Sequence, residues 1–266
     1  MYDDSLLIMI WKRSGRNLLS KPRHLFLLLC QQRTVVFGLS FMCAIFVSSE
    51  TFASDIFDDA EWTLRKDKYG IQVYTARIPG HKHRAVFSTV KISTKVESVV
   101  ALLQDSPNCR DWAKMCEESR IVERLSETES IVYGLNDAPF PLRHRDSYSS
   151  CVWSIDAQRV VTLNCTALND ARYPVNAGVV RLDSALVRWR IVPLKDGSVI
   201  IECYAHVDPN GVIPAWLVNA FIVDTPLSSL RKVRKILESS KYDDHTVNFL
   251  NSISDQQSEK QTENYQ

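Results

Sequence analysis

From Val199 to Val207 the chain alternates, with Val199, Ile201, Cys203, Ala205 and Val207 set against Ile200, Glu202, Tyr204 and His206. A period of two marks a strand with one buried face. The strand runs into Asp208-Pro209-Asn210-Gly211, all turn formers. Residues 214–238 then place Trp216, Leu217, Ala220, Phe221, Val223, Leu227, Leu230, Val233 and Leu237 at helical spacing. Pro214 suits the first helical position, Pro226 must kink or interrupt the helix, and Arg231, Lys232, Arg234 and Lys235 complement its dipole at the far end. A one-sided strand and a one-sided helix each need a cover for an apolar face, and a tight turn makes each the cover of the other. This junction constrains the fold more than any other stretch.

The same periodicities organise the chain before it. Ile71–Ile78 and Ala85–Ser93 read as strands, Lys95–Leu103 as a helix, and Asn108–Glu118 as a second short helix capped by Asn108. Ile121–Leu125 and Ser130–Leu135 form a hairpin over residues 126–129. The longest strands, Arg145–Ile155 and Arg159–Ala167, flank Asp156-Ala157-Gln158, and folding them about that turn brings Cys151 opposite Cys165. Val179–Leu182, Val187–Val192 and Ser198–Val207 add three more, the last two joined by a turn at Lys195-Asp196-Gly197. Many strands, two early helices and one long final helix give an α+β fold. A curved antiparallel sheet closing on a terminal helix leaves a cavity between them, the geometry of a ligand container.

The ends read differently. Residues 1–34 are rich in Lys and Arg, residues 35–47 are apolar and uncharged, and Ser48–Ser54 is small and polar around Ala53. Those are the parts of a secretory signal peptide. The apolar run is shorter than the roughly 20 residues a membrane span needs. Residues 1–53 are therefore expected to direct export, by cleavage after Ala53 or as an uncleaved anchor to the inner membrane. The protein is expected in the periplasm or another extracytoplasmic space. The folded domain is expected over 54–240, and 241–266 as a disordered polar tail. A net charge of +1 argues against nucleic acid as a partner. Seven cysteines occur, with Cys30 and Cys43 in the leader. Cys109, Cys116, Cys151, Cys165 and Cys203 show no Cys-x-x-Cys spacing, so neither a zinc site nor a redox motif is indicated. They read as small buried hydrophobes, with disulfides permitted if the chain is exported.

Signals for chemistry are sparse. His81 and His83 have His-x-His spacing with no further ligands in view, so no metal is expected. His144 lies near Ser147, Ser149 and Ser150, but no nucleophile elbow and no Gly-rich phosphate loop occurs. No cofactor is implied.

Several stretches then resemble one family in order and spacing. Asp208–Asn219 is similar to the C-terminal signature of START domains, the steroidogenic-acute-regulatory-protein-related lipid-transfer family. Trp62 with Asp67–Tyr74 resembles its opening strand, Cys109-Arg110-Asp111-Trp112 its second helix, Phe140–Asp146 the Pro-x-x-x-Arg-Asp approach to a central strand, and Gly178–Arg181 its Gly-x-x-Arg element. The resemblance covers about residues 61–240. It implies a helix-grip fold, a curved antiparallel sheet wrapped around the C-terminal helix, with one hydrophobic tunnel for one lipid, sterol-like or phospholipid. It also implies a lid made by that helix, opening transiently at a membrane, and no catalysis. An enzyme of the same superfamily and an interaction module with a filled cavity are the competing readings.

On that expectation Trp112, Trp153, Trp189, Trp216, Leu217, Asn219 and Phe221 line the tunnel. Arg145 either touches the ligand or fixes the start of its strand. Several sterol-binding members pair a basic residue in the central strand with an acid in the preceding hairpin. Here Cys151 lies near the first place and Val132 or Tyr133 near the second. The pocket is then more apolar, or uses Tyr133, Tyr148 and Tyr204 as polar handles. The molecule is expected to act as a monomer.

Overall fold

The structure is a computed structural model that describes residues 56–250 apart from Pro141, Val212 and Pro214. The expected signal segment, 1–53, lies outside the described residues, as does the tail from 251 onward. The side chains of Ala215, Trp216, Leu217, Asn219 and Ala220 lie outside them as well.

The strands are β1 (Thr63–Lys68), β2 (Ile71–Arg77), β3 (Arg84–Ile92), β4 (Cys116–Arg124), β5 (Glu129–Asn136), β6 (Arg145–Ile155), β7 (Val161–Ala167), β8 (Val180–Arg181), β9 (Ala185–Pro193) and β10 (Val199–Val207). They form one 10-stranded sheet ordered β1-β2-β3-β10-β9-β7-β6-β5-β4, antiparallel except that the two-residue β8 runs parallel to β6. The early helices are α1 (Val96–Gln104) and α2 (Cys109–Trp112), and the last is α3 (Ala215–Leu237). This is the α+β helix-grip arrangement. One sheet face, with Ile71, Val73, Val90, Ile191, Val199 and Ile201, packs against α1 and the Leu227, Leu230, Val233 and Leu237 stripe of α3. Each such side chain, when fully buried, stabilises the fold by roughly 1.5–3 kcal/mol. Among the described residues no helix is long and apolar enough to cross a membrane.

Local readings differ from the sequence pattern at several points. A strand, β1, precedes Ile71 and pairs with β2; its mostly exposed residues hid it from a search for apolar alternation. The second helix stops at Trp112, and Cys116 already belongs to β4. Asn108 does not cap that helix, because its side-chain amide donates instead to the Asp105 carboxylate at 2.9 Å. Pro226 does not interrupt α3, which runs unbroken across it.

Residues 242–250, expected to belong to a polar tail, instead pack on the domain. Tyr242, Val247, Phe249 and Leu250 are buried in the main core. The Tyr242 hydroxyl donates to Asp105 at 2.7 Å, Ser98 Oγ donates to Asp243 at 3.2 Å, and the Phe249 ring lies 5.6 Å from that of Trp153. A few apolar residues scattered through a polar stretch are enough to seal one end of the sheet.

Candidate functional site

On the inner side of the sheet lies a cavity of about 290 Å³, walled by α2, the end of α1 and strands β4–β7 and β9. Strand parity decides which side chains reach it. In β5, Val132 and Gly134 face the cavity while Ile131 and Tyr133 face the opposite side; in β6, Cys151 and Trp153 face inward. Leu163 and Cys165 of β7 and Trp189 of β9 complete the apolar wall. Arg124, Glu127 and Glu129 form a polar rim at the β4–β5 turn.

Trp112, Trp153 and Trp189 therefore come together in one wall, and the rings of Trp112 and Trp189 meet edge to face at 5.8 Å. The Trp112 indole Nε1 is buried with no hydrogen-bond partner among the described residues. An unmatched buried donor costs about 1–3 kcal/mol, and this one belongs to a ring that lines the cavity. The sequence marked Trp112 as apolar wall and missed this donor.

Two disulfides line the same cavity. Cys151–Cys165 joins β6 to β7 at the register pair expected from the hairpin. Cys109–Cys116 ties α2 to β4, a pairing the mistaken longer helix concealed. Cys203 is a free thiol, pushed up to about 12 by desolvation.

The three tyrosines are not handles for this cavity. Tyr133 and Tyr148 are cross-strand partners on the outer face, where Tyr148 stacks on Tyr173 at 4.3 Å and Tyr133 Oη accepts from Asn176 at 3.3 Å. Tyr204 lies on the outer face of β10 against Phe57, Trp62 and Phe87, and burial pushes its phenol up to about 12. Period-two alternation puts a tyrosine flanked by inward residues on the other side.

Arg145 is also structural in its contacts. Its guanidinium donates to the carbonyls of Pro209 (3.3 Å) and Arg143 (2.5 Å), tying the start of β6 to the β10–α3 turn. Burial, with Arg143 beside it, pulls that guanidinium below its ordinary value. Asp146, fully buried on the opposite face, forms a bidentate pair with Arg181 at 2.9 and 3.1 Å.

Phe221 is half-buried on α3 and is not in the cavity wall. The side chains of Trp216, Leu217 and Asn219 lie outside the described residues. Helix α3 meets the cavity elements through the α2–β4 connection, where the Lys114 amide donates to Ser229 Oγ at 3.1 Å.

Comparison with known proteins agrees with this architecture. The START domain family profile matches residues 56–242. The chain is 28% identical over 179 residues to Uncharacterized protein PA1579 of Pseudomonas aeruginosa, covering 67% of this chain and 87% of that one. It is 24% identical over 168 residues to the phosphatidylcholine transfer protein of Mus musculus, covering 60% and 76%. Among solved structures, a STAR-related lipid transfer protein fragment from Xanthomonas axonopodis superposes with a TM-score of 0.61 at 30% identity, covering 66% of this chain and 98% of that one. Human STARD10 superposes at 0.58 with 21% identity, covering 66% and 74%.

Proposed function

The chain belongs to the START domain family, and on that premise we propose that it binds one lipid in the tryptophan-walled cavity and exchanges it with a membrane without catalysing a reaction. The observation that carries this reading is the wall itself, where Trp112, Trp153, Trp189, Val132 and Leu163 converge and the buried Trp112 Nε1 has no partner among the described residues. Each methylene moved from water into such a wall contributes about 0.8 kcal/mol. The indole N–H favours a lipid with an acceptor oxygen, such as an ester carbonyl or a hydroxyl. The charged groups of the wall, Arg124, Glu127 and Glu129, lie together at the β4–β5 turn and leave the tryptophan end free of charged side chains. That distribution favours binding over acid–base chemistry.

A cavity of about 290 Å³ stands at the lower edge of ligand-pocket sizes, about 300–1,000 Å³, so loading a two-chain lipid requires the wall to move. The seam between α3 and the α2–β4 connection suits that movement, being held by few polar bonds such as Lys114 to Ser229. This makes α3 the lid. Export is supported by the basic-apolar-small order of residues 1–53 and by two disulfides in one cavity wall, bonds that persist in oxidising compartments. The protein acts as a monomer that touches the membrane transiently.

The test is lipid extraction and mass spectrometry of the purified protein, with uptake of a fluorescent phospholipid from detergent. Co-purified lipid and saturable uptake at one per chain are expected. No lipid and no uptake would sink the reading.

A further inference from the structure

A second cleft, of about 460 Å³, shares no lining residue with the tryptophan-walled cavity. It lies between the β2–β3 hairpin, which supplies Arg77, Lys82 and Arg84, and the start of α3, which with the preceding turn supplies Ile213, Val218 and Ile222. The hairpin turns tightly, His81 N–H donating to the Ile78 carbonyl at 3.1 Å and Gly80 taking a φ of +78° that favours glycine.

Charge makes this cleft unusual. Arg77 and Arg84 are register partners across the strand pair, and like charges directly opposite destabilise a sheet. Lys82 adds a third cation two residues away. Among the described residues none of the three makes an ion pair. Asp208, the acid beside the hairpin, lies 3.6 Å from His83 Nε2 instead. The hairpin is held by other bonds: buried His206 donates from Nε2 to the His83 carbonyl at 3.3 Å and meets the His81 ring edge-on at 4.5 Å. The fold thus gathers three unmatched cations beside an isoleucine-valine wall, where an anion attached to hydrocarbon would relieve the repulsion and cover the wall.

By the antiparallel register of β3, β10, β9, β7 and β6, the β2–β3 hairpin and the start of β6 lie at the same end of the sheet. The β5–β6 loop at that end, tied to the β10–α3 turn through Arg145, carries Phe140, which is 97% exposed. We propose that this cleft docks the phosphate of an anionic phospholipid in a bilayer, apart from the cavity that holds the cargo lipid. The inference deepens the lipid-exchange reading, which calls for a membrane contact, and its test separates the two.

Sedimentation of the full exported chain with phosphatidylglycerol/phosphatidylcholine vesicles, against phosphatidylcholine alone, reads the docking. The expected result is binding to the anionic vesicles that weakens about 30-fold in Arg77→Ala/Lys82→Ala, roughly five-fold for each charge removed. The Arg159→Ala/Lys195→Ala control, at turns elsewhere in the sheet, should leave binding nearly unchanged, and thermal melts check that both variants fold. Equal weakening in both, or no binding by the wild-type protein, overturns the proposal. Fluorescent-lipid uptake from detergent is expected to survive in Arg77→Ala/Lys82→Ala; its loss would make the cleft part of the cargo site and overturn the separation. If glycerol 3-phosphate raises the melting temperature of the wild type but not the variant while vesicles stay unbound, the ligand is a soluble phosphate compound and the membrane assignment fails. Anionic-vesicle binding that depends on Arg77 and Lys82 in a protein that takes up no lipid would uphold the docking site and reject the cargo reading.

Discussion

Trp112 is the residue on which ligand chemistry turns most directly. Its indole nitrogen is buried with no hydrogen-bond partner among the described residues, and a neutral hydrogen bond contributes about 1 kcal/mol net. Trp112→Phe is therefore expected to weaken binding of an ester-bearing lipid about five-fold in a fluorescence displacement titration, beyond any effect on a hydrocarbon probe. Equal weakening for both probes would show that the nitrogen touches no ligand. His206 gives a second prediction at this scale. Desolvation first, then His81 and His83, hold its imidazole below the ordinary histidine value, partly offset by its bond to the His83 carbonyl and by Asp208. The unfolded chain then takes up this proton first as pH falls. The group's contribution to stability is complete above about pH 6.5 and declines below it. A pH series of melting temperatures should show that decline, and His206→Gln should flatten it. The tyrosines show what residue-scale reading missed and why. Tyr204 alternates with Cys203 and Ala205 in β10, so its outward direction was already written in the pattern. Its hydroxyl is a polar handle by chemical type, but strand parity points it away from the cavity.

At the scale of elements, the strands of the long meander and the final helix were legible because each is long and strictly periodic. The end of the second helix is not legible in sequence because Cys109–Glu118 carries apolar residues compatible with either period, and the Cys109–Cys116 bridge that settles its path is a tertiary contact. That bridge and Cys151–Cys165 are load points of the cavity wall. Closing a loop of about 15 residues stabilises by about 3 kcal/mol in the chain-entropy account. Cys151→Ser/Cys165→Ser should lower the unfolding free energy by about that amount in a urea titration; an unchanged midpoint would mean the bridge does not form. Among the described side chains of α3, the buried ones, Leu227, Leu230, Val233 and Leu237, all follow Pro226. Pro226 has no N–H to give the carbonyl one turn back. Hydrogen exchange should accordingly be faster before Pro226 than after it, and Pro226→Ala should slow lipid exchange. Uniform protection along α3 would remove the case for a lid that opens from its N-terminal half.

The whole molecule closes its sheet with a segment that composition assigned to solvent. Residues 242–250 look polar on average, yet Tyr242, Val247, Phe249 and Leu250 bury in the core, with Asp243 bonded to Ser98 of α1 and Phe249 against Trp153 of β6. Ending the chain after Lys241 should therefore destabilise it by several kcal/mol, measured by calorimetry, whereas a dispensable tail would leave the melting temperature unchanged. The overall plan was readable because the Asp208–Asn219 junction, the Trp112 site and the Arg145–Asp146 pair occur in one order over the folded length. The cavity was readable only as an expectation, because its wall depends on which tryptophans converge and which disulfides close, and both are set by pairing between distant strands. The central claim is that this wall holds one lipid. Native mass spectrometry of the full chain purified from its host tests it most directly. A single lipid adduct per chain, displaced one for one by added phospholipid and lost in Trp153→Glu while the sheet remains folded, is predicted. A bare protein mass that stays bare when phospholipid is supplied would contradict the account.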